Sequence, residues 1–212
     1  MRIIFLSSLF LFLGYSLIAQ DEAAVRGVYS QYKTSIMKGQ GASAARWVSQ
    51  SSLDYYEKMM DLALHADSSE IEAMRAVDRV TILRIRLSLT ADQIKGMDGK
   101  TFFIYGVDKG FVDRKGVQDV EIGEIKIMGD EATGGFVVKG KPAPLFFGFI
   151  KEKTGWKFDL NAINEISNQT LEMLISQGGY EKNDFILRAL RTMAIEGEDV
   201  GMHLWHPLEA GK

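Results

Sequence analysis

The hydrophobic pattern changes period near the middle of the chain. Before residue 110 apolar positions recur at every third and fourth residue, and beyond residue 120 they alternate. Val25, Val28, Tyr29, Tyr32 and Ile36 form one helical stripe, which Gly39-Gln40-Gly41 interrupts. A short segment follows around Ala44, Trp47 and Val48. Ser51 with Asp54 predicts a helix start, the hydroxyl accepting from an unpaired backbone N–H, and Leu53, Tyr56, Met60, Ala63 and Leu64 give the next stripe. Ser69 with Glu72 has the spacing of a capping box and predicts a helix through Ile71, Met74 and Val77 to about Arg86. The stretch LRIRLSL, residues 83–89, also alternates and leaves a strand open as the alternative; helix is favoured because Val77, Val80, Leu83 and Leu87 form a stripe without an intervening turn signal. Thr90 with Gln93 opens a short helix ending near Met97. Asp98 caps another, carrying Phe102, Phe103, Tyr105 and Val107 as far as Gly110.

In the second half VEIGEIKIM alternates, but its phase slips at Gly123: Val120 and Ile122 are even, Ile125 and Ile127 odd. A glycine at a phase slip predicts a bulge, which bends a sheet. Gly129-Asp130 makes a turn and a strand runs through Phe136 and Val138, broken by Pro142 and Pro144. Leu145, Phe147 and Phe149 then alternate with Phe146, Gly148 and Ile150. After a turn at Thr154-Gly155, Trp156, Phe158 and Leu160 lie on one side of the last strand. The expectation is an α+β fold: N-terminal helices packed on a bent four-stranded antiparallel sheet, followed by two C-terminal helices. Ile163, Ile166, Thr170 and Leu174 mark the first of these, ending at Gly178-Gly179. Asn183 caps the second, with Ile186, Leu190 and Met193, and a tail containing Leu204, Trp205 and Leu208 follows.

Composition narrows the setting. Of 212 residues 46% are hydrophobic and 25% charged, the proportions of a folded chain, and a chain this long buries a sufficient core without staples. A net charge of −3 with no long basic run removes the counterion-release force behind nucleic-acid binding. The absence of cysteine excludes disulfides, thiolate nucleophiles, cysteine zinc sites and a lipid anchor on cysteine. Arg2, an apolar run from Ile3 to Ile18, and Ala19 ahead of Gln20-Asp21-Glu22 form the pattern of a secretory leader cut after Ala19. An uncleaved anchor is the alternative, since the run approaches the ~18 residues of a membrane span. Cleavage removes Arg2 and takes the net charge from −3 to −4. The expected organisation is a leader over 1–19, one α+β domain over 20–160 and a helical extension over 161–212 packing on that domain, exported to the periplasm or medium with no membrane span once the leader is removed.

The segment FFGFIKEKTGWKFDL, residues 146–160, carries five aromatic rings around one turn. Burying a large side chain stabilises by roughly 1.5–3 kcal/mol, so five rings represent roughly 10 kcal/mol and must be covered. One face is expected to meet the early helical stripes. Phe146 and Ile150, on the other face, need separate cover, which the C-terminal helices could supply. A pocket survives only where helices fail to fill the bend, and its candidate lining is Trp47, Tyr56, Phe102, Tyr105, Phe147, Phe149, Trp156 and Phe158. Helices first, a bulged antiparallel sheet next and a last hairpin reading TGWKFDL together resemble the nuclear-transport-factor-two-like cone fold, over about residues 23–160. Many bacterial members end on a strand of the type Gly-x-Trp-x-hydrophobic-Asp-Leu. Gly155, Trp156, Phe158, Asp159 and Leu160 correspond, without the spacer before Trp156. The helices over 69–110 and the continuation to Lys212 depart from simple members. The ending LWHPL is similar to the close of some uncharacterised bacterial proteins of this architecture.

That resemblance implies acid–base chemistry in a cone mouth for the enzymes, using His–Asp or Tyr–Asp pairs. Here the candidates are sparse. His65 ends a helix, where a cation suits the dipole. Asp54 and Asp61 share a face with Lys58, and Tyr56 lies on the apolar stripe. His203 and His206 lack a third ligand and an anchoring motif, and Pro207 disfavours helix at His206, so no metal is expected. Gly134-Gly135 lies within a strand and makes no phosphate loop. Arg84 and Arg86 either snorkel from a helix or pair with a buried carboxylate. The expected function is therefore an exported, non-catalytic binding protein without cofactor, its partner a small apolar molecule or a protein, and a homodimer is compatible. The alternatives are an isomerase- or dehydratase-like enzyme using His65 or a Tyr–Asp pair, and an envelope-associated module whose tail, Gly201–Pro207, docks on the domain or on a neighbour.

Overall fold

A computed structural model of the chain describes residues 7–112 and 114–209, with side chains from residue 19 onward. Its elements follow the change of period. Before the sheet come α1 (Ser7–Met37), α2 (Gly41–Ala44) with a 3₁₀ turn (Ala45–Trp47), α3 (Gln50–His65), α4 (Ser68–Glu72), α5 (Ala76–Ser88), α6 (Ala91–Lys95), α7 (Gly99–Asp108) and α8 (Arg114–Gln118). The strands are β1 (Val120–Met128), β2 (Glu131–Val138), β3 (Lys141–Glu152) and β4 (Gly155–Asp159). After them come α9 (Leu160–Gly178), α10 (Lys182–Met193) and a 3₁₀ turn (Met202–Trp205). The protein is thus α+β, with helices before and after a four-stranded antiparallel sheet. Its residues group into two compact units, Met1–Ser49 with Ile104–Ala162, and Gln50–Phe103 with Ile163–Lys212. Of the expected leader over 1–19, residues 1–6 lie outside the described residues and 7–19 belong to α1. Among the described residues no helix is long and apolar enough to cross a membrane.

The first unit holds the sheet, in the order β1-β2-β3-β4, with every neighbouring pair antiparallel. Tight turns set this meander. Gly129, at φ 68°, opens the β1–β2 turn, and Lys139 and Gly140, at φ 49° and 76°, make the β2–β3 turn, conformations that hairpins of right-handed twist demand. Between Ile122 and Ile125 the register shifts, Ile122 facing Phe136 and Ile125 facing Gly134. Two residues, Gly123 and Glu124, therefore oppose Gly135 alone. This bulge answers the phase slip, and it keeps Val120, Ile122, Ile125 and Ile127 on one face despite their mixed parity. Ala132, Phe136, Phe147, Phe149, Trp156 and Phe158 share that face through their cross-strand pairs. Gly134 is required there: a Cβ on it would stand 2.5 Å from Cδ1 of Ile122.

Pro142 and Pro144 do not break a strand; both lie inside β3, and the chain reverses instead at Lys139-Gly140. The early part of β3 pairs with β2 alone, because β4 reaches only Gly148–Glu152. Between Gly135 and Val137 three β3 residues, Ala143 to Leu145, oppose the single Phe136. A bulge at the sheet's margin is where a residue without an N–H is tolerated. The helix α8 carries no sequence signal, being too short to establish a period.

In the second unit the helix ends follow local hydrogen bonding more closely than the spacing predicts. The capping box of α4 is Asp67 with Glu70, two residues ahead of the expected Ser69 with Glu72. Asp67 accepts from the N–H groups of Ser69 and Glu70, Glu70 accepts from the N–H of Asp67, and the Ser69 hydroxyl is itself donated to Asp67. The helix expected to run unbroken to Arg86 is interrupted after Glu72, and Arg79 donates to the carbonyls of Glu72 and Met74 that the break exposes. Residues 83–88 are helical, as favoured, and the Thr90–Gln93 box and the Asp98 cap form as expected. Helix α10 is capped by Glu181 instead of Asn183, whose amide bridges Arg79 and Glu72.

Candidate functional site

The ring face of the sheet meets α1. Phe158 lies at the centre, its ring centroid 4.5 Å from Tyr32, 6.2 Å from Tyr29, 5.5 Å from Phe147 and 5.3 Å from Phe149. Tyr29 also stacks on Phe147 at 4.7 Å, and Phe136 on Phe147 at 3.9 Å. Phe149 and Phe158 are each 1% exposed, and Tyr29, Tyr32 and Phe147 are buried. The apolar stripe of α1 places Tyr29 and Tyr32 three residues apart, so both descend on the same strands. The Tyr29 hydroxyl donates to the Val120 carbonyl at 2.6 Å, and burial, with the Glu121 carboxylate nearby, holds its phenol well above the ordinary range. At the other end of the contact Asp21 accepts from the indole N–H of Trp156 and from Lys151, both at 2.8 Å. These hydrogen bonds hold its carboxyl below the usual value.

Of the eight residues proposed to line a pocket, Phe147, Phe149, Trp156 and Phe158 are together on this face and buried. Trp47, at the end of the first 3₁₀ turn, is half-buried in the same unit. So is Tyr105, whose ring stands edge-on to Phe111 at 5.8 Å. Tyr56 and Phe102 belong to the second unit, 5.7 Å apart, and burial pushes the Tyr56 phenol up to about 12. Tyr29, Tyr32 and Phe136 complete the ring layer and were not among the eight. The signal for the tyrosines was the stripe of α1, which marks a helix face without saying which strand it meets.

The opposite face of the sheet is different. Phe146 is 47% exposed and Met128 60% exposed. Phe146 is thus not buried, whereas Ile150, the other residue expected to need cover on this face, is half-buried. The cross-strand partner of Phe146 is Gly135, and β4 does not extend to it, so no side chain stands directly opposite the ring. Gly148 packs closely on Ala162.

Several titratable groups form closed pairs. In the second unit Tyr55 donates to Asp78 at 2.9 Å, and Arg75 donates to both oxygens of the same carboxylate while also reaching Glu165. Burial and the Asp78 charge hold the Tyr55 phenol above its ordinary range. This pair escaped sequence reading because 23 residues separate its members. His65 is exposed and bonded to Asp61 of its own helix. Arg84 pairs with Glu198 at 2.6 Å. Arg86, fully buried, neither snorkels nor meets a carboxylate: it donates to the carbonyls of Leu62, Ala63, Ala66 and Leu204, and burial lowers it to about 10. The tail docks on its own unit, where Leu204 and Trp205 are buried and the N–H groups of Leu208 and Glu209 reach Ala63 and Leu64. A depression of about 250 Å³ beside it is bordered by Glu198, Asp199, His203 and His206. Another, of about 350 Å³, runs along α1 and β1 between Arg26, Lys33 and Glu121. Lys33 already donates to Gln118, Val120 and Glu121, so its ammonium has no donor left for an anion. Among the described residues no three His, Asp or Glu side chains converge as a metal site. Comparison with family models, with curated proteins and with solved structures finds no match for the chain.

Proposed function

We propose that this is an exported, non-catalytic binding protein of nuclear-transport-factor-two-like type, and that its partner is another protein held on the open face of the sheet around Phe146. One observation carries the reading. Two faces of one sheet treat their rings in opposite ways: Phe149 and Phe158 are 1% exposed beneath α1, whereas Phe146 is 47% exposed opposite Gly135. A small apolar ligand would need the ring face, which Tyr29 and Tyr32 already occupy. An exposed ring with no side chain directly opposite it is available to anchor a protein contact. The bulged antiparallel meander and the TGWKFDL hairpin support the cone-fold reading, and the leader pattern supports export. For the acid–base reading the described residues offer one Tyr–Asp pair, Tyr55 with Asp78, whose carboxylate is already engaged by Arg75 in an ion pair.

Photo-crosslinking tests this. A benzophenone side chain replaces Phe146 in one variant and Phe149 in another, and each is irradiated in cells that export the protein. The expected result is a protein adduct from position 146 and none from 149. A protein-free outcome at 146, or a small-molecule adduct at 149, overturns the proposal.

A further inference from the structure

The sheet has two edges, each closed only in part: the early half of β3 lies beyond the reach of β4, and the second half of β1 beyond the α1 side chains that cap its start. At the β4 edge Val48 bridges to Phe158 in parallel and the Ser49 N–H donates to the Phe158 carbonyl at 3.0 Å. Along the first half of β1 side chains of α1 cap the strand: Lys33 donates to the carbonyls of Gln118 and Val120, Tyr29 to Val120 and Arg26 to Ile122. Beyond the bulge, the two-residue turn at Gly129-Asp130 makes Met128 and Glu131 the hydrogen-bonded pair that closes the hairpin. By alternation Lys126 also directs its backbone inward to β2, and Ile125 and Ile127 direct their N–H and C=O groups outward along the edge. An open edge of this kind is a template for another strand.

The side chains on that stretch indicate which strand fits. Glu124 and Lys126 are exposed, flank Ile125, and have no ion-pair partner among the described residues. We infer that β1 is the edge at which two copies of this chain join, antiparallel and centred on Ile125, so that Glu124 of each copy faces Lys126 of the other. The register follows from charge. Centring on Ile125 sets Glu124 opposite Lys126 twice and lets the two Ile125 residues exchange both backbone hydrogen bonds. Centring one residue later sets Lys126 against Lys126, and one residue earlier sets Glu124 against Glu124, each a like-charge pair directly opposite, which destabilises. The joined sheets form one continuous eight-stranded sheet through β1. The competing role for these charges is to keep the edge strand apart from any other. This inference does not rest on the Phe146 surface and stands or falls separately from it.

Sedimentation equilibrium of the full exported chain tests the inference, with Glu124→Lys, Lys126→Glu and the double exchange. Each single change turns two attractive cross-strand pairs into two repulsive ones and raises the dimer dissociation constant by about tenfold or more. The double exchange restores opposite signs and returns it to within about threefold of wild type. Amide exchange at Ile125 and Ile127 slows as concentration rises, while exchange at Val137 in the interior strand does not change. A wild-type mass of one chain at every concentration overturns the inference. So do single variants that associate like wild type, a double exchange no better than the singles, or a dimer in which Ile125 exchanges at its monomer rate.

Discussion

Phe158 and Phe146 differ by 12 positions in sequence and by almost everything in environment. Phe158 touches four other rings, so Phe158→Ala empties a cavity where neighbours on both a helix and a sheet cannot collapse together. The expected loss is about 3–5 kcal/mol. Phe146→Ser, on an exposed ring, is expected to change stability by less than about 0.5 kcal/mol, and urea unfolding of both variants checks the contrast. Asp21 supplies a pH dependence. Hydrogen bonds from Lys151 and Trp156 hold its carboxyl below the ordinary aspartate range in the folded chain. The unfolded chain therefore takes up this proton first as pH falls. The stabilisation is complete above the unfolded value and is lost as pH drops through the lower, folded one. Asp21→Asn should unfold more easily than wild type at neutral pH and approach it once the wild-type Asp21 carboxyl is protonated in the folded as well as the unfolded chain, as thermal scans across the acid range will show.

At the scale of elements the bulge in β1 does the most to shape the first unit. It brings isoleucines of both parities to the ring face, and Gly134 leaves room for Ile122 to cross it. Gly134→Val forces a branched side chain into that space and is expected to cost about 1–3 kcal/mol. Combining it with Ile122→Ala should recover part of the loss, measured as a non-additive double-mutant cycle. In the second unit, truncation after Gly197 removes the buried Leu204 and Trp205, the Arg84–Glu198 pair and one of the carbonyls holding Arg86. Losing one buried tryptophan side chain alone typically costs about 3–5 kcal/mol. Amide exchange across Ile82–Arg86 should accelerate sharply in the truncated chain. Much of this level was legible in the sequence. The helical stripes, the Thr90–Gln93 box and the Gly123 phase slip each rest on a short-range rule that the fold obeys. What was not legible depended on distant partners or on a nearby competitor for the same role. Asp67 displaced Ser69 as a cap through its own local bonds, and Asn183 gave up its cap because Arg79 and Glu72 claimed its amide. Pro142 and Pro144 sat in a strand because the neighbouring strand stops short of them.

For the molecule as a whole, the candidate site was legible as a concentration of rings and not as a geometry. Alternation separated Phe147 and Phe149 from Phe146, yet nothing in alternation says which face a helix covers; the Tyr29–Phe147 and Tyr32–Phe158 contacts do. Tyr56 and Phe102 joined the proposed lining because their stripes are apolar, but they meet each other within the second unit. The proposed binding surface lies accordingly on the open face of the sheet, at the exposed Phe146 ring, and not inside it. Solvent paramagnetic relaxation of carbon-labelled phenylalanine rings, recorded with and without an apolar probe such as anilinonaphthalene sulfonate, tests this most directly. Closure of the ring face by α1 predicts strong relaxation at Phe146, almost none at Phe147, Phe149 and Phe158, and no shift of the latter three when the probe is added. Relaxation of Phe147 and Phe158 comparable to that of Phe146, or probe-induced shifts at those buried rings, would contradict it.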